Sequence, residues 1–142
     1  MQKVSLPVLL AMVLALVLVA CAPAGPAGPA GPSTDLKVEM DEFKFMPESL
    51  SVPAGQNITL ELKNSGSIAH DFTILKKGVA IQGAFDPDQH ADQIVFRATL
   101  DAGKSQSFGF LSPAEPGEYQ IICAVPGHYQ SGMRATLTVV VP

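Results

Sequence analysis

The chain has 142 residues, a formal net charge of −4 and no cluster of basic side chains. This length suffices for one ordinary domain with a buried core, since domains usually run from about 50 to 200 residues. Without a basic patch the protein cannot neutralise a run of phosphates, so nucleic acid is excluded as a partner.

The first 21 residues are typical of a secretory signal. A short polar start with Lys3 precedes an apolar run over residues 6–20, which is shorter than the roughly 20 residues that a membrane-spanning helix needs. The sequence LVAC at 18–21 resembles the bacterial lipoprotein processing signal, in which the cysteine, here Cys21, is lipidated and becomes the new N-terminus. An uncleaved anchor helix and plain secretion stay open, and all three place the rest of the chain outside the cytoplasm.

Residues 22–34 read APAGPAGPAGPST and contain no apolar side chain large enough to pack. The repeat is too short for a collagen helix, and Pro-rich segments act more often as extended spacers. We therefore predict a tether that reaches about 40 Å at about 3.1 Å per residue. It would join a lipidated Cys21 to one folded domain over residues 35–142.

From residue 35 onward, short strand-like runs are separated by Gly, Pro, Asn, Asp and Ser. In the clearest run, Ile58, Leu60 and Leu62 alternate with polar residues, as in a strand with one buried and one solvated face. At most one helical turn is expected, within residues 83–93. The sequence predicts an all-β Greek-key sandwich of about eight strands with little helix. The other strands are predicted up to Pro47 and at about residues 50–52, 70–75, 94–99, 105–111, 117–123 and 134–141.

Three metal-donor side chains follow the strand predicted at residues 117–123, namely Cys123, His128 and Met133. Thiolate and thioether suit Cu(I), imidazole suits both oxidation states, and two His with one Cys and a weak axial Met define a blue copper site. His70 opens another predicted strand and could supply the second imidazole. Each residue alone has an ordinary structural explanation, such as packing in the core. All four ordinary explanations would have to hold at once, so we predict one copper ion at these residues.

The segment from Cys123 to Met133 resembles the copper loop of cupredoxins of the plastocyanin/azurin family. The resemblance covers essentially all of residues 35–142. It implies that His70, Cys123 and His128 are the in-plane ligands of a type 1 copper ion and that Met133 is the axial ligand. The loop has one more residue before Met133 than azurins have. Three further motifs belong to the resemblance: FKFMP at 43–47, VPAG at 52–55 and Asn64 ahead of the first histidine.

Two residues beside the ligands are expected to influence the copper. Asp71 stands where the family often has Asn, whose side chain pins the two ligand loops together; an aspartate can accept such bonds but not donate them. The resemblance also implies that the backbone N–H groups of Asp71 and Val125 donate to the Cys123 sulfur, which would push the reduction potential upward. The ring edge of His128 would be the electron exit, in an exposed patch expected to comprise Ile68, Ala69, Val125, Pro126, Gly127 and Tyr129.

The resemblance implies an electron carrier and not an enzyme. Its partners would be redox proteins of the cytochrome, oxidase or reaction-centre type, met by transient contact. A monomer tethered to a membrane, in the periplasm or on the outer face of the cell membrane, fits this role. Three alternatives stay open: copper delivery by the same fold, an enzyme of the copper reductase, oxidase or Cys/His hydrolase type, and a metal-free adhesive sandwich. His90, in the polar loop 85–92, is taken as a solvated residue and is not counted as a ligand.

Overall fold

A computed structural model describes residues 31–142. The predicted signal, Cys21 and most of the predicted tether lie outside the described residues. Within residues 31–142 no helix is long and apolar enough to cross a membrane. This part of the chain forms nine strands: β1 (Asp35–Asp41), β2 (Lys44–Met46), β3 (Ser49–Pro53), β4 (Asn57–Asn64), β5 (His70–Leu75), β6 (Ile94–Leu100), β7 (Ser105–Leu111), β8 (Gly117–Ile122) and β9 (Arg134–Val140).

The strands form two sheets, one in the order β2-β1-β4-β7 and the other in the order β3-β9-β8-β5-β6. Most neighbouring strands are antiparallel, whereas β1 with β4 and β3 with β9 are parallel. The predicted all-β sandwich is therefore confirmed. The helical turn expected within residues 83–93 is a single 3-10 turn at Ala91–Gln93.

The run predicted as one strand up to Pro47 is in fact two strands, which is why the structure has nine strands rather than about eight. β1 and β2 pair as a hairpin with Met40 opposite Phe45. The chain reverses at Glu42 and Phe43, and Phe43 has a φ of 63°, in the left-handed region that bulky residues rarely adopt. This stretch contains no Gly, Pro or Asn, and Asp41 is its one turn-favouring residue, so the turn signal in the sequence is weak.

Two clusters of apolar side chains surround the strand that leads to the predicted copper loop. Cys123 faces the main core between the sheets. Its neighbours Ile122 and Ala124 point the other way, into a second cluster with Leu75 and Phe85. Phe85 belongs to the long connection over residues 76–93, so this connection covers the outer face of β5 and β8. Consequently all six residues of β5 are buried.

Candidate metal centre

Three of the predicted donor side chains meet in the structure, although two distant parts of the chain supply them. His70 is the first residue of β5, Cys123 directly follows β8, and His128 lies in the next loop. The Nδ1 atoms of the two histidines are 3.2 Å apart, and Cys123 Sγ lies 3.4 Å from His128 Nδ1. One ligand atom from each of the three residues fits within 4.8 Å of the others, and all three residues are buried.

Backbone hydrogen bonds close the loop between Cys123 and Met133. The Cys123 N–H donates to the Met133 carbonyl at 3.1 Å, and the Met133 N–H donates to the His128 carbonyl at 3.0 Å. The His128 N–H donates to the Val125 carbonyl, also at 3.0 Å. Met133 is fully buried and shares the main core cluster with Cys123. These bonds hold the backbone that carries Cys123, His128 and Met133 in one compact loop.

One backbone N–H group donates to the cysteine sulfur, and a second lies near it. The Asp71 N–H donates to Cys123 Sγ at 3.3 Å. Burial raises the pKa of the Cys123 thiol, and the backbone N–H groups of Asp71 and Val125 act in the opposite direction. Because a coordinated thiol loses its proton outright, these donors would stabilise the thiolate once a cation is bound.

Burial favours the neutral form of both histidines, which is the form that can bind a metal ion. Burial lowers the pKa of His70 and of His128, and neutral imidazole is the form that binds metals. The Nδ1 atoms of the two histidines face each other, and that of His128 also lies next to Cys123 Sγ. His70 Nε2 is buried without a hydrogen-bond partner among the described residues. A thiolate, two neutral imidazoles and a buried thioether are the donors that suit a copper ion cycling between oxidation states. The residues present therefore fit copper.

The side chain of Asp71 turns away from the cysteine loop. Its carboxylate is 1% exposed and accepts from Arg97 Nε at 2.6 Å and from Thr99 Oγ1 at 3.2 Å. The Thr73 hydroxyl is a third donor. Asp71 therefore ties β5 to its neighbour β6, where the family's Asn would link the two ligand loops.

Asn64 holds the loop in front of the first histidine. Its Nδ2 donates to the carbonyls of Ile68 at 2.8 Å and Leu100 at 2.9 Å, and its Oδ1 accepts from the Gly66 N–H at 3.0 Å. These bonds fix the backbone between β4 and His70. The side chain that the resemblance singled out ahead of His70 is thus a buried anchor for this loop.

The turn between β1 and β2 covers the site, and sequence reasoning missed it. The Phe43 ring meets the His128 ring edge-on, with centroids 5.4 Å apart and an interplanar angle of 81°. His128 is only 5% exposed, while Phe43 is 46% exposed. Beside it, Glu42 accepts two hydrogen bonds from Ser67. The sequence did carry one signal, since the step of three residues from Met40 to Phe43 breaks the two-residue period of a strand.

The residues expected in the exit patch have unequal exposure. Ile68 is 44% exposed, and Pro126 and Gly127 are exposed too. Tyr129 is only half exposed, because its ring packs against the second apolar cluster. His90 lies apart from the donors, with Nδ1 2.8 Å from the Asp86 carbonyl oxygen. Ala69 and Val125 are half-buried.

Three known proteins are similar to this chain in sequence. Auracyanin-B of Chloroflexus aurantiacus is 30% identical over 122 residues, which cover 75% of this chain and 52% of its own. Auracyanin-A of the same organism is 32% identical over 151 aligned positions and 91% of each chain. The copper-resistant cuproprotein CopI of Rubrivivax gelatinosus is 28% identical over 101 residues, 68% of this chain and 59% of its own. The chain thus spans between half and three fifths of the length of two of these relatives.

The fold comparison agrees with the sequence comparison. The solved structure of auracyanin B matches with a TM-score of 0.65 at 31% identity, covering 82% of this chain and 93% of the other. Residues 9–139 match the family model described as a cupredoxin-like domain. Together with the clustered donors, this match confirms the predicted copper cofactor. The chain belongs to the cupredoxin-like family.

Proposed function

We propose that the protein is a type 1 copper electron carrier. His70, Cys123 and His128 would be the in-plane ligands and Met133 the axial ligand. The observation that carries this proposal is the meeting of three buried donor side chains, with their ligand atoms within 4.8 Å of one another. Bound copper would supply a one-electron couple between Cu(I) and Cu(II).

The surrounding residues favour electron transfer over chemistry on a substrate. His70, Cys123 and Met133 are 0% exposed, and His128 is 5% exposed. Metal enzymes keep an open coordination position for water or substrate, and donors enclosed in this way leave little room for one. A loop fixed by its own backbone bonds also changes little when charge is added or removed. We therefore propose a carrier and not an enzyme.

The N–H groups that point at the sulfur would set part of the reduction potential. The Asp71 N–H donates to Cys123 Sγ at 3.3 Å, and the Val125 N–H lies near the same sulfur. Hydrogen bonds withdraw electron density from a thiolate and weaken its stabilisation of Cu(II), so they push the potential upward. We propose this role for both residues.

Electrons would leave through the ring of His128. Around it the surface is apolar, with exposed Phe43, Ile68, Pro126 and Gly127 and Tyr129 on its flank. Redox encounters bury little area and are short-lived, and a small apolar patch suits them. We propose that a monomer meets redox proteins of the cytochrome, oxidase or reaction-centre type here. The relative auracyanin A is a "blue" copper protein from a green thermophilic photosynthetic bacterium.

The N-terminal sequence supports a location outside the cytoplasm. We propose a signal over residues 1–21, lipidation of Cys21, a tether over residues 22–34 and a domain over residues 35–142. The Ser33 N–H donates to the Ser51 carbonyl at 2.9 Å and the Thr34 carbonyl accepts from the Thr59 N–H at 2.8 Å, so the last two residues of the proposed tether already contact the domain. Labelling cells with a radioactive fatty acid tests the anchor: the wild type should incorporate the label and Cys21→Ala should not. A wild type that incorporates no label would contradict lipidation.

Copper delivery is the second candidate, because one relative is a copper-resistant cuproprotein. Redox cycling in the presence of a copper chelator separates the two functions. The copper-loaded protein is reduced and reoxidised repeatedly by a small soluble cytochrome while excess bicinchoninate is present. A carrier keeps its copper over many cycles, because its donors are buried. Loss of copper to the chelator within the first cycles would favour delivery.

A further inference from the structure

We infer that Glu42 is a positioning residue for the copper site. Its carboxylate is held over Gly66 as a fixed negative partner for the buried Nε2 of His70, and it lowers the reduction potential. This inference rests on the proposed function. It concerns the turn between β1 and β2, which contains none of the predicted site residues.

The first support is the shape of the space at Gly66. A methyl group on Gly66 would lie 2.8 Å from His70 Nε2 and 3.0 and 3.1 Å from the two carboxylate oxygens of Glu42. The imidazole and the carboxylate therefore face the same small volume, which only a glycine leaves open. Gly66 is itself buried, so the His70 imidazole and the Glu42 carboxylate approach each other over the backbone of Gly66.

The second support is that the carboxylate is locked in place. Glu42 Oε1 accepts from the Ser67 N–H at 2.6 Å and from Ser67 Oγ at 2.7 Å. These bonds lower the pKa of Glu42 to about 2, with the backbone bond as the largest cause. The group is therefore a permanent anion at physiological pH. Because Ser67 directly follows Gly66, the turn and the loop in front of His70 are joined as one unit.

The third support is the unpaired nitrogen of His70. If Nδ1 binds the metal, the ring proton resides on Nε2, and ligand histidines usually give that proton to a carboxylate, a carbonyl or water. His70 Nε2 is buried and has no partner among residues 31–142. Negative charge beside the ligands stabilises Cu(II) over Cu(I), which lowers the potential.

The decisive measurement compares the reduction potential of the wild type with that of Glu42→Gln. Glutamine keeps an oxygen for Ser67 and removes the charge. The equilibrium with a fixed redox couple should shift toward the reduced protein by about two- to fivefold, the range of a partly screened ion pair. The control is Glu61→Gln on β4, whose carboxylate pairs with Lys37 at 3.0 Å on the surface. This control should leave the equilibrium unchanged.

A second readout needs no copper. In the metal-free protein, Glu42 should favour the His70 tautomer with the proton on Nε2, so that Nδ1 accepts from His128 Nδ1 at 3.2 Å. Nitrogen NMR of the imidazole should show a lower share of this tautomer in Glu42→Gln. Ser67→Ala removes the hydroxyl bond to the carboxylate but keeps the backbone bond and the charge, so it should shift the potential in the same direction by less.

The outcomes separate this inference from the proposed function. A wild type without a copper–thiolate band would refute the copper carrier, and the tautomer measurement would still test the pairing of Glu42 with His70. An intact band with an unchanged or lowered potential in Glu42→Gln would overturn the inference and leave the carrier standing. An unchanged His70 tautomer would overturn it as well.

Discussion

Replacing Arg97 with methionine should destabilise the fold through the buried carboxylate of Asp71. Arg97 Nε donates to Asp71 Oδ2 at 2.6 Å, and Asp71 is 1% exposed. Methionine preserves much of the side-chain volume and removes both the charge and the donor. The carboxylate then keeps only the hydroxyls of Thr73 and Thr99.

The size of the effect follows from the exposure of the two partners. Removing one partner of a fully buried ion pair costs about 3–5 kcal/mol, whereas exposed pairs contribute about 0.2–1 kcal/mol. The Arg97 side chain is 38% exposed, so solvent screens it, and two neutral donors remain for Asp71. We therefore expect a loss of about 1.5–2.5 kcal/mol in the free energy of unfolding, between these limits.

Urea unfolding of the metal-free protein, followed by circular dichroism because the chain has no tryptophan, measures this loss. Adding Asp71→Asn removes the stranded charge, so the double variant should lose less than the sum of the two single losses, by at least about 0.5 kcal/mol. The control is Lys37→Met, whose ion pair with Glu61 is 82% and 52% exposed and should contribute under about 1 kcal/mol. A loss for Arg97→Met no larger than this control, or additive losses in the double variant, would refute the reasoning.

Four further results are expected. Val125→Pro removes an N–H group that lies near the Cys123 sulfur, so voltammetry should find a lower reduction potential with the copper–thiolate band retained; a raised potential would contradict this. Met133→Leu keeps the core volume, so metal-free stability should change by less than about 1.5 kcal/mol, while the potential rises because the axial thioether is lost; an unchanged potential would argue against axial coordination. The metal-free protein should lose stability as the pH falls below the ordinary histidine value of 6.5, because burial lowers the pKa of His70 and His128 and the unfolded chain takes up protons first. It should also lose stability as the pH rises through the ordinary thiol value of 9.0, because burial raises the pKa of Cys123 and the unfolded chain releases its proton first. Urea midpoints that stay constant across both ranges would show that burial does not hold these groups neutral.

The donor set and most strands could be predicted because their signals are local. The alternation of Ile58, Leu60 and Leu62 marks β4 without knowledge of its neighbours. Likewise, a cysteine, a histidine and a methionine on one short loop indicate soft-metal chemistry by residue type alone. Position in the fold was needed only to bring the distant His70 to that loop.

The parts that escaped prediction depend on contacts between distant segments. Asp41 is the one turn-favouring residue at the reversal between β1 and β2, and it does not specify a left-handed Phe43. The reversal that places Phe43 over His128 therefore depends on packing as well as on local preference. The direction of the Asp71 side chain is decided by its partners on β6, which no spacing in the sequence reveals.

The role of the connection over residues 76–93 could not be predicted from its composition. Its polar residues predicted little more than a loop with at most one helical turn. Phe85, Val79 and Ile81 nevertheless join the apolar cluster behind the strand that leads to Cys123. Their role depends on the face of β8 that they cover, and a sequence pattern without a period does not identify it.

The central claim is tested most directly by the visible absorption spectrum of the purified protein loaded with Cu(II) and titrated with ascorbate. The account predicts an intense band toward the red end of the spectrum that bleaches on reduction and is missing in Cys123→Ser. A colourless protein, or one with only the faint absorption of ordinary Cu(II), would contradict a copper–thiolate site at His70, Cys123 and His128.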